Sequence, residues 1–314
     1  MLPTASLGRT GLQVTRLSYG ALELMGRVGD RGREPSAGQA GRILNAVLDA
    51  GINFIDTADC YGLSEETLGR HISHRRSEYL LGTKVGCHHD APPSGGAKDY
   101  TAEGMRYNVE RSLNRLKTDY LDLLMLHTPV VNNVDRDTIV ETLDDLKLQG
   151  KVRWVGVSTN LPHLPHFFNW DIFDVFHVAY SPLQRQHEEW LRKIADSGAG
   201  NVVRSEAGRG EPDMEDSLAY LQGVRLSPSE RYRYFELLDL DELREDGESR
   251  VAFILRYVWA HPGAHTVISG TINEAHLREN VQALLRGPLP RDVVEEANRR
   301  LGTVHMVPAP VLVA

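Results

Sequence analysis

Short apolar segments alternate along the chain with stretches of helical periodicity. Apolar segments of strand length begin near residues 17, 53, 80, 122, 153, 176, 202 and 266. Between many of these segments, apolar side chains recur every three or four residues. Met105, Val109 and Leu113 form one such stripe, with the spacing of a helix that buries one face. Strands that alternate with helices predict a parallel sheet covered by helices.

The number of strands distinguishes between two α/β folds. Eight strand–helix units over 314 residues suit a closed (β/α)8 barrel, which needs about 250 residues plus insertions. A doubly wound sheet would favour a G-x-G-x-x-G turn after its first strand, and the sequence has none. We therefore predict a TIM barrel that forms a single domain over residues 1–314.

Three segments interrupt this alternation. Residues 5–15 contain two glycine-centred turns between short segments, which predicts a β-hairpin ahead of the barrel. Residues 86–100 and 208–229 are long, mostly polar stretches after the third and seventh barrel strands. Since loops after strands build the active-site rim of a barrel, we expect both at its C-terminal face, as substrate walls or cofactor covers.

Four ionisable side chains fall at or just after predicted strand ends. Asp56 and Tyr61 follow the second barrel strand. Lys84 ends the third strand and His127 ends the fourth. A buried Asp–Lys ion pair and a core histidine are the purely structural alternatives. Because the C-terminal ends of successive strands share one rim, we expect the four groups to converge in a catalytic site.

This set of groups suits the reduction of a carbonyl. The oxygen gains charge as hydride reaches the carbon, and it must then be protonated. A tyrosine has an unperturbed pKa of about 10, and a neighbouring ammonium such as Lys84, held by Asp56, would lower it. His127 can hydrogen-bond the carbonyl oxygen and orient it. Since no side chain delivers a hydride, a nicotinamide cofactor is required.

The segments that carry these groups resemble the aldo-keto reductase family. Residues 56–58, 61–62 and 64–65 match the family signature residue for residue, and residues 7–12 are similar to its opening. The resemblance implies NAD(P)H-dependent reduction of an aldehyde or ketone, with Tyr61 as proton donor. It implies that Lys84 and Asp56 tune Tyr61 and that His127 orients the substrate.

The resemblance also implies cofactor contacts across the barrel mouth. Residues 150–158 resemble the family's fifth-strand motif, and residues 268–271 with 277–280 resemble its closing adenosine-phosphate motif. The expected cofactor-binding residues are Gly20, Ser158, Asn160, His177, Arg204, Ser205, Ser269, Gly270, Thr271, His276, Glu279 and Asn280. Which of Ser158 and Asn160 contacts the nicotinamide amide is left open. NADP(H) is expected from the family's habit, with NAD(H) as the alternative.

Several of those positions depart from the family pattern. His177 stands where the family usually has a glutamine, and Arg204 replaces an aromatic that commonly stacks on the nicotinamide. A guanidinium can also stack flat. Gly270 and His276 occupy positions that often carry basic residues for the 2′-phosphate, and Arg278 lies nearby in the sequence.

The sequence says less about the substrate pocket, a possible metal site and the direction of the reaction. Leu24, Met25 and Cys87 are expected to line the substrate pocket. Residues 87–90 read Cys-His-His-Asp, but they fall in a predicted loop without ligand spacing on a rigid element, so no metal site is predicted. Two alternatives stay open: the same site run as a sugar or alcohol dehydrogenase, and a non-catalytic nicotinamide-nucleotide-binding module.

Composition narrows the partners further. The formal net charge is −8 without a long basic run, which argues against nucleic acid or an anionic membrane as the main partner. No apolar run approaches the ~20 residues of a membrane span. The N-terminus shows no secretory signal, and two cysteines make no disulfide framework. We expect a cytoplasmic location and a small carbonyl or alcohol substrate; the oligomeric state is not predicted.

Overall fold

Eight parallel strands close into a barrel in which neighbours follow chain order and the last strand pairs with the first, and two further strands form an antiparallel hairpin. The structure is a computed structural model that describes residues 1–26, 35–88, 97–204, 228–304 and 308. The strands are β1 (Thr4–Ser6), β2 (Gln13–Thr15), β3 (Leu17–Gly20), β4 (Phe54–Asp56), β5 (Leu80–Val85), β6 (Leu121–His127), β7 (Val152–Ser158), β8 (Val175–Ala179), β9 (Gly200–Arg204) and β10 (Thr266–Ser269). The predicted barrel and N-terminal hairpin are confirmed.

Helices follow the strands and cover the outside of the barrel. In the described part of the chain they are α1 (Ala37–Asp49), α2 (Ser64–His71), α3 (Ala102–Leu116), α4 (Arg136–Leu148), α5 (Leu164–Phe168), α6 (Glu188–Asp196), α7 (Pro228–Leu237), α8 (Arg250–Ala260), α9 (Glu274–Arg286) and α10 (Arg291–Gly302). A short 3-10 helix spans Ala21–Leu24. None of the described helices is both long and apolar enough to cross a membrane.

Most apolar side chains pack in two clusters. The larger cluster lies between the outer face of the strands and the helices, as for Val155 of β7 and Leu143 of α4. The smaller one joins strand residues such as Phe54 and Met125 to Leu7 of the N-terminal segment. Side chains alternate across a strand, so the two clusters occupy opposite faces of the same sheet. Both faces of the sheet are therefore buried, which explains why the strand sequences are largely apolar.

The strand register brings the C-terminal ends together. Gly20 pairs with Asp56, and Lys84 pairs with Met125 on the next strand. Farther round the barrel, His127 pairs with Ser158. Because all eight strands run in the same direction, these residues share one rim, as the sequence predicts.

A serine directly ahead of two glutamates is a common helix cap, but Leu63 holds the capping position of α2 and Ser64 begins the helix. The Ser64 hydroxyl instead donates to the carbonyl of Ala21 at 2.7 Å and lies 2.9 Å from the Thr57 hydroxyl, because it is fully buried. Much of the two predicted long loops, residues 89–96 and 205–227, lies outside the described residues.

Candidate active site

A buried ion pair joins β4 to β5 at the rim. The Lys84 ammonium donates to Asp56 Oδ2 and to the backbone carbonyl of Thr57, both at 2.7 Å. The Lys84 side chain is 1% exposed. Burial alone lowers the pKa of Lys84, but the charges of Asp56 and Tyr61 outweigh it, so the pKa is raised. Lys84 is therefore held as an ammonium with little freedom to move.

Tyr61 reaches this pair from the loop after β4. A turn closed by the Tyr61 amide and the Ala58 carbonyl at 3.0 Å sets the loop's path. Gly62 then adopts φ +48°, and a Cβ at that position would lie 2.3 Å from the carbonyl oxygen of Met25. The turn therefore needs glycine, and it leaves Lys84 Nζ 5.0 Å from the centre of the Tyr61 ring.

His127 completes the group from the end of β6. Its ring lies edge-on to Tyr61, with 5.7 Å between the ring centres. The Tyr100 hydroxyl donates to the His127 carbonyl at 2.7 Å, which fixes the end of the strand. Burial lowers the pKa of His127 to about 4, so its imidazole is neutral near pH 7. The four side chains that the sequence predicts as catalytic thus lie together.

Two cysteines adjoin the histidine. Cys60 Sγ lies 3.1 Å and Cys87 Sγ lies 3.5 Å from His127 Nδ1. Hydrogen bonding from Cys60 lowers the pKa of Cys87. Lys98 contacts the Cys87 sulfur at 3.4 Å, across an isolated antiparallel bridge between these two residues. Cys87 is predicted to line the pocket, whereas no role is predicted for Cys60, although Cys60 directly precedes Tyr61 at the same rim.

A second polar network contacts the loop that carries Tyr61 and the helix that follows it. Asp59 is buried and accepts hydrogen bonds from Arg111 and Asn108 of α3. Glu65, also buried, accepts from the Thr83 hydroxyl at 2.7 Å. Burial, reinforced by the charge of Asp59, raises the pKa of Glu65 to about 7. The loop that carries Tyr61 is therefore anchored on α3 through Asp59, and the helix α2 that follows it is anchored on β5 through Glu65.

The residues expected to contact a nicotinamide lie next to this group. Ser158 ends β7 and His177 faces it on β8; both are buried. Asn160 Oδ1 is buried and has no hydrogen-bond partner among the described residues. Arg204 is half-buried at the end of β9. Ser205, predicted alongside it, lies outside the described residues.

The residues expected to bind the rest of a dinucleotide lie across the rim. A Cβ on Gly270 would lie 2.8 Å from the Gly20 carbonyl oxygen, so the two backbones approach closely. Asn280 donates to the Ser269 hydroxyl at 3.0 Å. The Thr271 carbonyl accepts from a buried tyrosine hydroxyl at 2.9 Å. These contacts fix the loop between β10 and α9.

A surface groove of about 470 Å³ opens at the start of α9. Its lining residues are Gln39, Arg42, Ile272, Asn273, Glu274, Ala275 and Arg278. His276 is exposed and does not line the groove, whereas Arg278 does. Glu279 is half-buried on the same helix. The groove combines two guanidinium groups with the amino end of a helix, a combination that favours anions. Arg42 Nε also lies 3.6 Å from the carboxylate of Glu274, which lines the same groove.

The predicted pocket residues differ in their surroundings. Leu24 is 1% exposed and belongs to the larger apolar cluster. Met25 is 7% exposed and follows the short 3-10 helix. Cys87 contacts His127 of the reactive group, with 3.5 Å between Sγ and Nδ1.

Comparisons with known proteins agree with this geometry. Residues 16–299 match the model of the Aldo/keto reductase family. The uncharacterized oxidoreductase YqkF of Bacillus subtilis is 30% identical over 88% of this chain and 89% of its own length. The 6-dehydroglucose reductase of Novosphingobium aromaticivorans is 30% identical over 90% of this chain and 91% of its own. The holo form of an aldo-keto reductase from Bacillus halodurans has a TM-score of 0.80 at 28% identity, covering 99% of this chain and 98% of that one.

Proposed function

The chain belongs to the aldo/keto reductase family of NAD(P)-dependent oxidoreductases, and we propose that it reduces an aldehyde or ketone to the alcohol with Tyr61 as proton donor. The observation that carries this proposal is the buried Lys84 ammonium, bonded to Asp56 and 5.0 Å from the Tyr61 ring. An ion pair with a merely structural role has no need of a phenol beside it.

Tyr61 and Lys84 would act together on the carbonyl oxygen. As that oxygen gains charge, the Tyr61 hydroxyl transfers its proton to it. The Lys84 ammonium stabilises the resulting phenolate, because it is held in place before the reaction and does not have to reorganise. Asp56 keeps Lys84 charged and fixes its direction through the 2.7 Å hydrogen bond.

His127 would orient the carbonyl. A neutral imidazole carries one N–H, and the pKa of about 4 keeps the ring neutral over the working pH range. Its Nδ1 faces Cys60 and Cys87. Nε2 is then left to donate a hydrogen bond to the substrate oxygen, which adds a second donor where charge develops.

The residues present fit a nicotinamide dinucleotide at both ends. Near the reactive group, the buried amide oxygen of Asn160 lacks a partner among the described residues and can accept from a carboxamide. At the other end, Arg42 and Arg278 line the groove beside α9 and can hold a phosphate. When bound, the reduced nicotinamide supplies the hydride. The two guanidinium groups lead us to propose NADP(H) in preference to NAD(H), although Gly270 and His276 lack the family's usual basic side chains.

A substrate panel tests the proposed reaction. We would follow the loss of reduced-nicotinamide absorbance with aldehydes, ketones and sugars, using NADPH and NADH in parallel, and the reverse reaction with sugars and secondary alcohols. Turnover of a carbonyl with NADPH supports the proposal. Turnover only of alcohols with the oxidised cofactor would favour a dehydrogenase, and cofactor binding without turnover in either direction would favour a non-catalytic binding module.

A further inference from the structure

We propose that Cys60, Cys87 and His127 form a binding site for a thiophilic divalent cation such as Zn²⁺. The two sulfurs and a ring nitrogen of His127 all lie within 4.8 Å of one another. Cys60 follows β4, Cys87 follows β5 and His127 ends β6. The donors therefore come from the ends of three adjacent parallel strands and from the loops that directly follow two of them. This cluster differs from the Cys-His-His-Asp run of residues 87–90, with which it shares only Cys87.

The distances suit tetrahedral coordination. With metal–sulfur bonds of about 2.3 Å and metal–nitrogen bonds of about 2.0–2.1 Å, a tetrahedral site places sulfur and nitrogen about 3.5 Å apart. In the structure, the two sulfurs lie 3.1 and 3.5 Å from His127 Nδ1. Both contacts converge on the same nitrogen and the three donor atoms lie within 4.8 Å of one another, so one cation could meet all three donors after small rotations of the side chains.

The local charges permit a divalent cation. Two thiolates neutralise Zn²⁺, and the two thiol protons pass to solvent when the cation binds. Lys98 lies 3.4 Å from the Cys87 sulfur and competes for it. Because Lys98 is half-buried on a long side chain, its ammonium can move aside towards solvent. The neutral imidazole of His127 is the form that ligates metal.

The set of donors identifies the class of cation. Two sulfurs with one imidazole nitrogen favour Zn²⁺, Cd²⁺ or Co²⁺ over Mg²⁺ and Ca²⁺, which prefer oxygen. Three protein donors leave a fourth position for water or another small ligand. Binding of a cation by these three side chains does not depend on the proposed reductase activity.

A cadmium titration tests the site in the full-length, reduced protein. Cd²⁺ bound by thiolates gives a ligand-to-metal charge-transfer band in the ultraviolet. We expect this band to saturate at one equivalent and to disappear in the Cys60→Ser and Cys87→Ser variants. Loss of a residue that only supports a metal ligand typically weakens metal affinity by about 10-fold or more. Because His127 is a proposed ligand itself, we expect His127→Gln to weaken Cd²⁺ affinity by at least about 10-fold.

A neighbouring variant serves as the matched control. His88 directly follows Cys87 and is half-buried, so His88→Ala changes the alternative run of residues 87–90 and leaves the proposed ligands intact. We expect His88→Ala to bind Cd²⁺ like the native protein. A band that needs His88 but not Cys60, or one that keeps its native intensity and affinity in the Cys60→Ser variant, would overturn the proposal.

Alkylation of the native protein gives a second test that does not rely on the folding of any variant. Cys60 is the more exposed of the two cysteines, and we expect one equivalent of Zn²⁺ to slow its reaction with iodoacetamide, as measured by peptide mass spectrometry. Mg²⁺ at the same concentration should leave the rate unchanged. An equal alkylation rate with and without Zn²⁺ would contradict the site.

Discussion

Replacement of Lys84 by methionine tests what its ammonium contributes to stability and what it contributes to turnover. Lys84 is fully buried and bonds both Asp56 and the Thr57 carbonyl. Methionine fills a similar volume but leaves the Asp56 carboxylate buried without its charge partner. Breaking a buried pair from one side typically costs about 3–5 kcal/mol of stability. We expect a loss of this order for Lys84→Met in chemical denaturation.

The effect on turnover follows from the ammonium's distance to Tyr61. Lys84 Nζ lies 5.0 Å from the centre of the Tyr61 ring, and unit charges separated by about 5 Å interact by about 3 kcal/mol at an effective dielectric constant of about 20. If that attraction stabilises the phenolate formed in the transition state, its loss lowers kcat by roughly two orders of magnitude. The exposed Lys117 provides the matched control, and Lys117→Met should leave kcat unchanged.

A double variant distinguishes catalysis from stability. Adding Asp56→Asn to Lys84→Met removes the unpaired buried charge, so we expect part of the lost stability to return. The rate should stay low, because the ammonium is still absent. The reasoning is refuted if the double variant recovers its rate together with its stability, or if kcat of the folded Lys84→Met protein falls by less than about 10-fold.

Three further predictions follow from single residues. Because the pKa of Glu65 is raised to about 7, the folded state binds more protons than the unfolded state between the ordinary carboxyl pKa of about 4.5 and 7. Stability should therefore fall as pH rises through this window, and the Glu65→Gln variant should lack that slope in thermal unfolding against pH. Gly62→Ala places a Cβ 2.3 Å from the Met25 carbonyl oxygen at a positive φ, so we expect a loss of about 1–3 kcal/mol together with a fall in kcat. An unchanged kcat would show that the turn does not position Tyr61. Arg278→Ala should raise KM for NADPH but not for NADH; equal effects on the two cofactors would argue against a 2′-phosphate contact.

The barrel and the convergence of its strand ends could be predicted from the sequence. Apolar segments of strand length alternate with helical stripes, and parallel strands have their C-terminal ends on one rim. That rule alone brings Asp56, Lys84 and His127 together, because each lies at the end of its strand. The strands can be recognised as short apolar segments because both faces of the sheet are buried.

Other features depend on tertiary contacts that a local pattern does not contain. Ser64 looks like a helix cap, but burial directs its hydroxyl to the Ala21 carbonyl instead. Leu24, the last residue of the short 3-10 helix, is buried in the larger apolar cluster. The contact of Cys60 with His127 requires the loop path that the Gly62 turn imposes. The rim rule could have indicated Cys60, since it directly precedes Tyr61.

The most direct test of the proposed mechanism compares the native protein with Tyr61→Phe on a carbonyl that the native protein reduces. Cofactor binding is measured by fluorescence and turnover by nicotinamide absorbance, with Tyr107→Phe as the control because Tyr107 is half exposed. The mechanism predicts that Tyr61→Phe binds cofactor normally and loses at least about 100-fold in kcat, as expected for removal of a general acid. A Tyr61→Phe protein that reduces the carbonyl at nearly the native rate would contradict the assignment of Tyr61 as proton donor.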